Sequence, residues 1–206
     1  MKEYLQPTFF IDYDNDGVGE LAKKLSKDMK DSTKTALAIK IFDFVRDNFP
    51  YTVKAFQIAD PSGYKASETL KAGKGFCMTK SILLVALLRA NSIPARLHIA
   101  DMINHRSPQH FRDLMGGSAY FVYHTYVDVY LNGTWFKITP SFEKKLCEKH
   151  NYPLCVFDGT NDAILQSHDL EGNKFVEYVK DHGTFAEFPF DDMVEAVVNY
   201  YGPMIN

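Results

Sequence analysis

Apolar residues recur at helical spacing in the first quarter of the chain. Leu21, Leu25 and Met29 predict a helix over residues 18–30. Apolar residues at the same spacing predict a second helix over residues 33–48. The chain is therefore expected to begin with two helices, each with an apolar face.

The segment from Cys77 to Asn91 contains neither Gly nor Pro, and its apolar residues cover most of a helical circumference. This pattern is typical of a helix that is buried on all sides. Asn91 and Pro94 are expected to end it. Because Gly73 and Gly75 precede it, a loop should deliver Cys77 to the first turn of this helix.

An antiparallel hairpin is the clearest local signal in the sequence. Residues 121–131 and 134–139 are rich in β-branched and aromatic side chains, and they flank Asn132-Gly133. This dipeptide is the preferred two-residue turn of a hairpin.

The rest of the pattern defines the fold class. Residues 95–100 alternate as a strand does, whereas residues 105–117 are a polar, irregular insertion. Beyond Pro140 the pattern is less regular until a short terminal helix from Asp191. Helices followed by an antiparallel sheet predict an α+β fold, with residues 1–206 as one domain.

The turn also fixes which residues of the hairpin share a face. It places Leu131 opposite Thr134, and each outward step preserves the pairing. The apolar face, with Val127 and Val129, belongs to the core, which leaves His124 on the opposite face, where it can meet a side chain from another element. The further pairs predicted on the His124 face are Tyr130 with Trp135, Asp128 with Lys137, Tyr126 with Thr139, and His124 with Ser141.

Composition and charge exclude several classes of function. The 206 residues include 46% hydrophobic and 24% charged residues, as in a soluble globular protein. A net charge of -3, with scattered Lys and Arg, argues against a nucleic-acid partner. No apolar run is long enough for a signal peptide or a membrane span, so we expect a cytoplasmic protein with no membrane partner. Three cysteines without an export signal are expected to be free thiols.

Cys77 is the candidate nucleophile. A helix N-terminus favours the thiolate, because unpaired backbone N–H groups and the helix dipole lower the pKa of a cysteine there. The two preceding glycines let the backbone approach a substrate closely. The alternative is that Cys77 is a small buried apolar residue, and His124 alone would be an ordinary strand histidine.

Several segments in fixed order resemble the core of the transglutaminase-like superfamily over residues 35–141. The resemblance implies a papain-like fold in which Cys77 is the nucleophile and His124 the general base and acid. It also implies a C-terminal extension, residues 142–206. The matching segments are Glu68-Thr69-Leu70, Gly73-Lys74-Gly75-Phe76-Cys77, Leu87-Leu88-Arg89-Ala90, Ile93-Pro94-Ala95-Arg96, His124-Thr125-Tyr126-Val127-Asp128-Val129-Tyr130 and Gly133-Thr134-Trp135.

One position departs from the family pattern. The family's Trp-x-x-x-Asp-Pro motif reads Trp135 to Pro140 in this chain, with Thr139 in place of the aspartate. Thr139 is predicted to accept a hydrogen bond from His124 and to select its tautomer, although a neutral acceptor is weaker than a carboxylate by about 1 kcal/mol. Asp128 is expected to be engaged by Lys137 instead.

Other polar clusters are interpreted as structural. Residues 12–17 imitate the start of an EF-hand loop, but Lys23 occupies the position of its bidentate glutamate, so the segment is read as a polar turn that caps the following helix. Cys147, His150 and Cys155 match no closed zinc motif. Residues 157–162 are interpreted as a turn rather than as a substitute carboxylate. His98, His105 and His110 are interpreted as ordinary polar residues.

Two functions remain open. The first is a cysteine enzyme that cleaves or transfers an amide acyl group of a protein or peptide through a Cys77 thioester, without a cofactor, a metal or calcium. The backbone N–H of Cys77 would then be one oxyanion donor; Gln57 and Tyr51 lie upstream, where such a fold could bring them close. The second is a weakly active or inactive domain that binds a protein or peptide.

Overall fold

The computed structural model describes residues 1–27, 29, 33–53 and 60–202, without the side chains of His110 and Leu114. Gln57 therefore lies outside the described residues. The helices are α1 (Asp16–Lys27), α2 (Lys34–Asn48), α3 (Ala66–Ala72), α4 (Cys77–Ala90), α5 (Gln109–Leu114), α6 (Lys144–His150) and α7 (Phe190–Tyr201). The strands are β1 (Ala95–Asn104), β2 (Tyr120–Leu131), β3 (Thr134–Ile138) and β4 (Val176–Phe185).

Helix α4 is the centre of the fold, as its sequence predicts. All its residues from Cys77 to Arg89 are buried. Its start is fixed locally, because the Phe76 N–H donates to Thr79 Oγ1 at 3.1 Å and so satisfies a donor that a helix start leaves open. A Cβ at Gly75 would lie 2.6 Å from Thr79 Oγ1, so only glycine allows this approach.

The four strands form one antiparallel sheet in the order β3-β2-β1-β4. The predicted hairpin is confirmed, since Leu131 pairs with Thr134 across a turn in which Asn132 and Gly133 have φ of 51° and 90°. These are the positive angles of the hairpin turn that Asn-Gly favours. Together with the helices, this sheet confirms the predicted α+β class.

The pairing of β2 with β3 ends earlier than the sequence predicts. Tyr130 with Trp135 and Asp128 with Lys137 pair as expected, but the ladder stops at Val127 and Ile138. The predicted pairs of Tyr126 with Thr139 and of His124 with Ser141 therefore lie outside it. The next hydrogen-bonded pair would need an N–H from Pro140, which has none. The neighbouring Thr139 N–H donates to the Ala163 carbonyl at 2.9 Å.

Three elements lie where no regular structure was expected. Helix α5 falls in the predicted polar insertion, and α6 and β4 follow Pro140. β4 is an outer strand with many exposed charged residues, and its pairing with β1 shifts register twice. Both features obscure the alternation that marks a half-buried strand. The N-terminal helices, the long strand β1 and the terminal helix α7 agree with prediction within a few residues.

The core lies between α4 and the sheet, with α1, α2 and α3 packed around the helix. No helix in the described ranges is long and apolar enough to cross a membrane.

Candidate active site

Cys77 lies in the first turn of α4, as predicted, but its thiol is buried rather than exposed at the helix end. The residue is 6% exposed. Burial raises the pKa of the Cys77 thiol, and the backbone N–H groups of Thr125 and Met78, together with the Tyr51 hydroxyl, offset part of that rise. The predicted lowering of this pKa is therefore wrong, because desolvation outweighs the helix terminus.

The early end of β3 explains why Cys77 meets strand β2. Thr125 is the next residue of β2 that would exchange two hydrogen bonds with β3, and Pro140 prevents this. Helix α4 takes the open position: Ser81 Oγ donates to the Thr125 carbonyl at 3.0 Å, and the Thr125 N–H faces the sulfur of Cys77. The thiol thus lies against the residue that follows His124.

A buried lysine secures the same end of α4. Lys80 Nζ donates to the carbonyls of Arg46 at 2.9 Å and of Ser141 at 2.8 Å. Burial lowers the pKa of Lys80 to about 7. The lysine joins α4 to the end of α2 and to the loop after β3, which fixes how the helix start sits beside β2.

His124 lies on β2 immediately after a bulge. Ala100 pairs with His124 but Met102 pairs with Phe121, so two residues of β2 oppose Asp101. The extra residue Tyr123 has a φ of 58°, and its N–H donates to Asp101 Oδ1 at 3.0 Å. A bulge re-aims the side chains next to it, and here it determines the direction of the imidazole.

The imidazole of His124 is buried, at 2% exposure, and neither ring nitrogen has a hydrogen-bond partner among the described residues. His124 therefore forms no hydrogen bond with the Cys77 thiol in this structure. Burial lowers the pKa of His124 to about 3, so the ring is neutral at neutral pH. Cys77 and His124 form no thiolate–imidazolium pair here.

Thr139 does not hold the imidazole either. Its hydroxyl is buried and completes no hydrogen bond of good geometry within the described chain, which corrects the predicted contact with His124. It lies instead beside the hydroxyl of Tyr178. Burial raises the pKa of Tyr178, and the nearby Thr139 hydroxyl offsets part of that rise. The Tyr178 ring is 6.0 Å from the His124 ring. Tyr178 belongs to β4 and was not expected at the site.

Tyr51 is a second tyrosine at the site, and it lies closer to the sulfur. Its hydroxyl lies close to both the Cys77 sulfur and the Cys77 backbone N–H. Burial is the main cause of its raised pKa, and the nearby thiol raises the pKa further. Tyr51 as a whole is half-buried. The ring lines a cavity of about 190 Å³ together with Met102, Phe121 and Phe142.

Asp128 is engaged by different partners from the one predicted. Arg96 donates to its Oδ2 through two nitrogens, at 3.0 and 3.1 Å, and His98 Nδ1 lies 2.9 Å from its Oδ1. The other ring nitrogen of His98 lies 3.0 Å from Asp181 Oδ1. The expected engagement by Lys137 is wrong, and His98, interpreted as an ordinary polar residue, is a buried link between two carboxylates.

The acidic segments read as turns are turns or bends in the structure. Asn15 Oδ1 accepts from the Gly17 N–H at 3.0 Å and so caps α1, as expected, while Asp12 accepts hydrogen bonds from the N–H and hydroxyl of Ser67 at the start of α3. Asp158 binds Thr160 and Asn161 within its own bend, and these hydrogen bonds, Asn161 first, lower its pKa.

The two other cysteines lie away from helix starts. Cys147 and Cys155 are buried, and burial raises their pKa values to about 11 and about 12. Within the described ranges, no group of three or more His, Cys, Asp or Glu side chains is arranged to hold a metal ion.

Comparisons with known proteins agree with this architecture. A family model described as the transglutaminase-like superfamily matches residues 20–140. The structure of a candidate cysteine protease from Cytophaga hutchinsonii is 17% identical, covers 92% of this chain and has a TM-score of 0.57. The periplasmic domain of TgpA from Pseudomonas aeruginosa is 22% identical and covers 61% of this chain and 42% of its own, with a TM-score of 0.44.

The likeness in structure is one of fold. This chain spans 48% of the length of the Cytophaga protein. No curated protein matches it significantly in sequence.

Proposed function

Since the chain belongs to the transglutaminase-like superfamily, we propose that it is a cysteine enzyme that cleaves or transfers an amide acyl group of a protein or peptide substrate. The observation that carries this proposal is the position of the Cys77 sulfur. It lies at the start of the buried helix α4 and against the N–H of Thr125, the residue after His124.

In the proposed reaction the neutral imidazole of His124 accepts the thiol proton as the sulfur attacks the amide carbonyl carbon. A pKa held below 6.5 keeps His124 in this proton-accepting form at neutral pH. The carbonyl oxygen becomes an oxyanion, for which the Cys77 N–H is one donor. His124 then returns the proton to the leaving amine, and water or a second amine releases the thioester.

Thr139 enters the proposal as the group that fixes the tautomer of His124. Its hydroxyl completes no hydrogen bond of good geometry among the described residues, and it lies in the same buried cluster as His124 through Tyr178. A hydrogen bond from the imidazolium to Thr139 would form as His124 becomes charged, because a charged donor strengthens the bond.

A second function follows from specific features of the site. The thiol pKa is raised, the imidazole has no partner within the described residues, and a threonine replaces the family's aspartate. These features favour a domain that retains the fold to bind a protein or peptide with little or no catalysis.

Alkylation by iodoacetamide, followed cysteine by cysteine with mass spectrometry, separates the two functions. The enzyme proposal expects Cys77 to react much faster than Cys147 or Cys155, and the His124→Gln variant to lose most of this advantage. His105→Gln is the matched control, since His105 is partly exposed and contacts Glu177 at 3.3 Å. Equally slow labelling of all three cysteines would instead support the binding domain.

A further inference from the structure

We infer that the Tyr51 hydroxyl is the second hydrogen-bond donor to the oxyanion that forms when Cys77 attacks a carbonyl group. The inference rests on the proposed function and names a catalytic residue for it. Tyr51 lies in the segment between α2 and α3, and nothing in the local sequence marks it as catalytic.

The position of the Tyr51 hydroxyl supports this role. During attack, the carbonyl carbon bonds to the sulfur of Cys77 while the carbonyl oxygen faces the Cys77 N–H. The Tyr51 hydroxyl lies close to both of these groups in the free protein, where it lowers the pKa of the thiol and the Cys77 N–H lowers that of the phenol. When a carbonyl group enters between them, the phenol needs only a small shift to turn its O–H from the sulfur to the oxygen.

The protonation state of the Tyr51 phenol also supports this role. The pKa of Tyr51 lies well above 10, raised by burial and then by the nearby thiol, so the phenol keeps its proton at neutral pH and remains a donor. A donor in such a water-poor site stabilises developing charge more than it would in water.

The surrounding backbone holds Tyr51 in register with the loop that delivers Cys77. Tyr51 forms a parallel bridge with Gly75, and the neighbouring Thr52 N–H donates to the Gly75 carbonyl at 2.7 Å. The Tyr51 N–H donates to Glu143 Oε2 at 3.0 Å, and its ring packs against Phe142 at 5.0 Å. The phenol is therefore positioned before a substrate arrives, as an oxyanion donor must be.

Two other tyrosines near the sulfur, Tyr201 and Tyr178, direct their hydroxyls to other groups. The Tyr201 hydroxyl accepts from the Val122 N–H at 3.1 Å and donates to the Tyr120 carbonyl at 2.7 Å. The Tyr178 hydroxyl lies beside Thr139. Of these three side chains, Tyr51 is the one that meets the Cys77 N–H.

Two reagents separate a role at the oxyanion from a role at the sulfur. With p-nitrophenyl acetate, the sulfur forms a bond to the carbonyl carbon, the π electrons move to oxygen, and collapse expels p-nitrophenolate and leaves an acetyl thioester on Cys77. The thiol proton passes to His124. Iodoacetamide alkylates the same sulfur at a saturated carbon and expels iodide, so no oxyanion forms.

The experiment compares both rates at Cys77, measured by mass spectrometry of its peptide, in the wild type and in Tyr51→Phe. We expect Tyr51→Phe to slow acetylation on the order of 100-fold, the usual cost of losing one oxyanion donor, and to change alkylation less than about threefold. Tyr152→Phe is the matched control; its hydroxyl donates to the Arg106 carbonyl at 2.6 Å, and both rates should be unchanged.

The outcomes distinguish this inference from the function on which it rests. Unchanged acetylation in Tyr51→Phe overturns the inference alone. An equal fall in both rates also overturns it, because Tyr51 would then support the sulfur rather than the oxyanion. A rise in both rates overturns it too, because Tyr51 would then block the sulfur. A wild type in which Cys77 gains no acetyl group while it is still alkylated overturns the acyl-transfer proposal and the inference with it.

Discussion

The charge state of His124 distinguishes a neutral thiol–imidazole site from an ion pair. The ring is buried with a pKa of about 3, against 6.5 for a free histidine. One pKa unit corresponds to about 1.36 kcal/mol, so protonating His124 in the folded protein costs on the order of 5 kcal/mol relative to the unfolded chain. Because the pKa of His124 is lower in the folded protein, the free energy of unfolding decreases as the pH falls from 6.5 towards 3. Over this range the unfolded chain binds a proton that the folded protein does not.

The assay is urea unfolding of the wild type and of His124→Gln, which cannot titrate. Between pH 7 and pH 4.5 the wild type should lose about 2.5 kcal/mol more of its free energy of unfolding than the variant. Other titrating groups, such as Asp181, are present in both proteins, so their contributions to the pH dependence cancel in the comparison. If Cys77 and His124 form an ion pair instead, the folded pKa of His124 exceeds 6.5 and the wild type gains stability over the same range. Parallel curves, or curves with that opposite sign, would refute the neutral site.

Three further predictions test other parts of the structure. Thr139→Asp should raise the alkylation rate of Cys77 by supplying a charged acceptor, and Thr139→Val should lower it about fivefold, as loss of about 1 kcal/mol implies; equal rates in all three proteins would remove Thr139 from the site. Asp128→Ala should lower the free energy of unfolding in urea by about 3–5 kcal/mol, because it removes the carboxylate that pairs with the Arg96 guanidinium and the buried partner of His98; a loss below 1 kcal/mol would contradict this. From pH 7 to pH 9 the wild type should gain about 2 kcal/mol relative to Lys80→Met. Over this range the unfolded chain keeps the lysine proton while the folded lysine, with a pKa of about 7, releases it, and proton binding stabilises the unfolded chain less as the pH rises; no relative gain would mean that Lys80 stays charged.

The elements with local signals were predictable from sequence. Helix α4 has apolar residues on all sides and no Gly or Pro, and the hairpin carries its turn in Asn132-Gly133. Their physical causes lie within a few residues, so the pattern alone predicts them. β4 could not be predicted in this way, since its charged residues and its two register shifts hide the alternation of a strand.

The site was predictable only in part, for the same reason. The order of motifs pointed to Cys77 and His124, but what surrounds them depends on contacts between distant segments. Tyr51 and Tyr178 come from opposite ends of the chain, and neither has a local pattern that distinguishes it from a core tyrosine. The raised pKa of the thiol likewise follows from burial, which the position of a cysteine at a helix start does not reveal.

The early end of β3 links chemistry at the sulfur to the backbone of the sheet. A carbonyl of a longer β3 would accept the Thr125 N–H, but the sulfur of Cys77 takes the place of that acceptor. A group attached to the sulfur occupies this space and releases the Thr125 N–H. The amide proton of Thr125 therefore acts as a built-in reporter, exchanging slowly with solvent while the thiol is free and faster once Cys77 carries an acyl group.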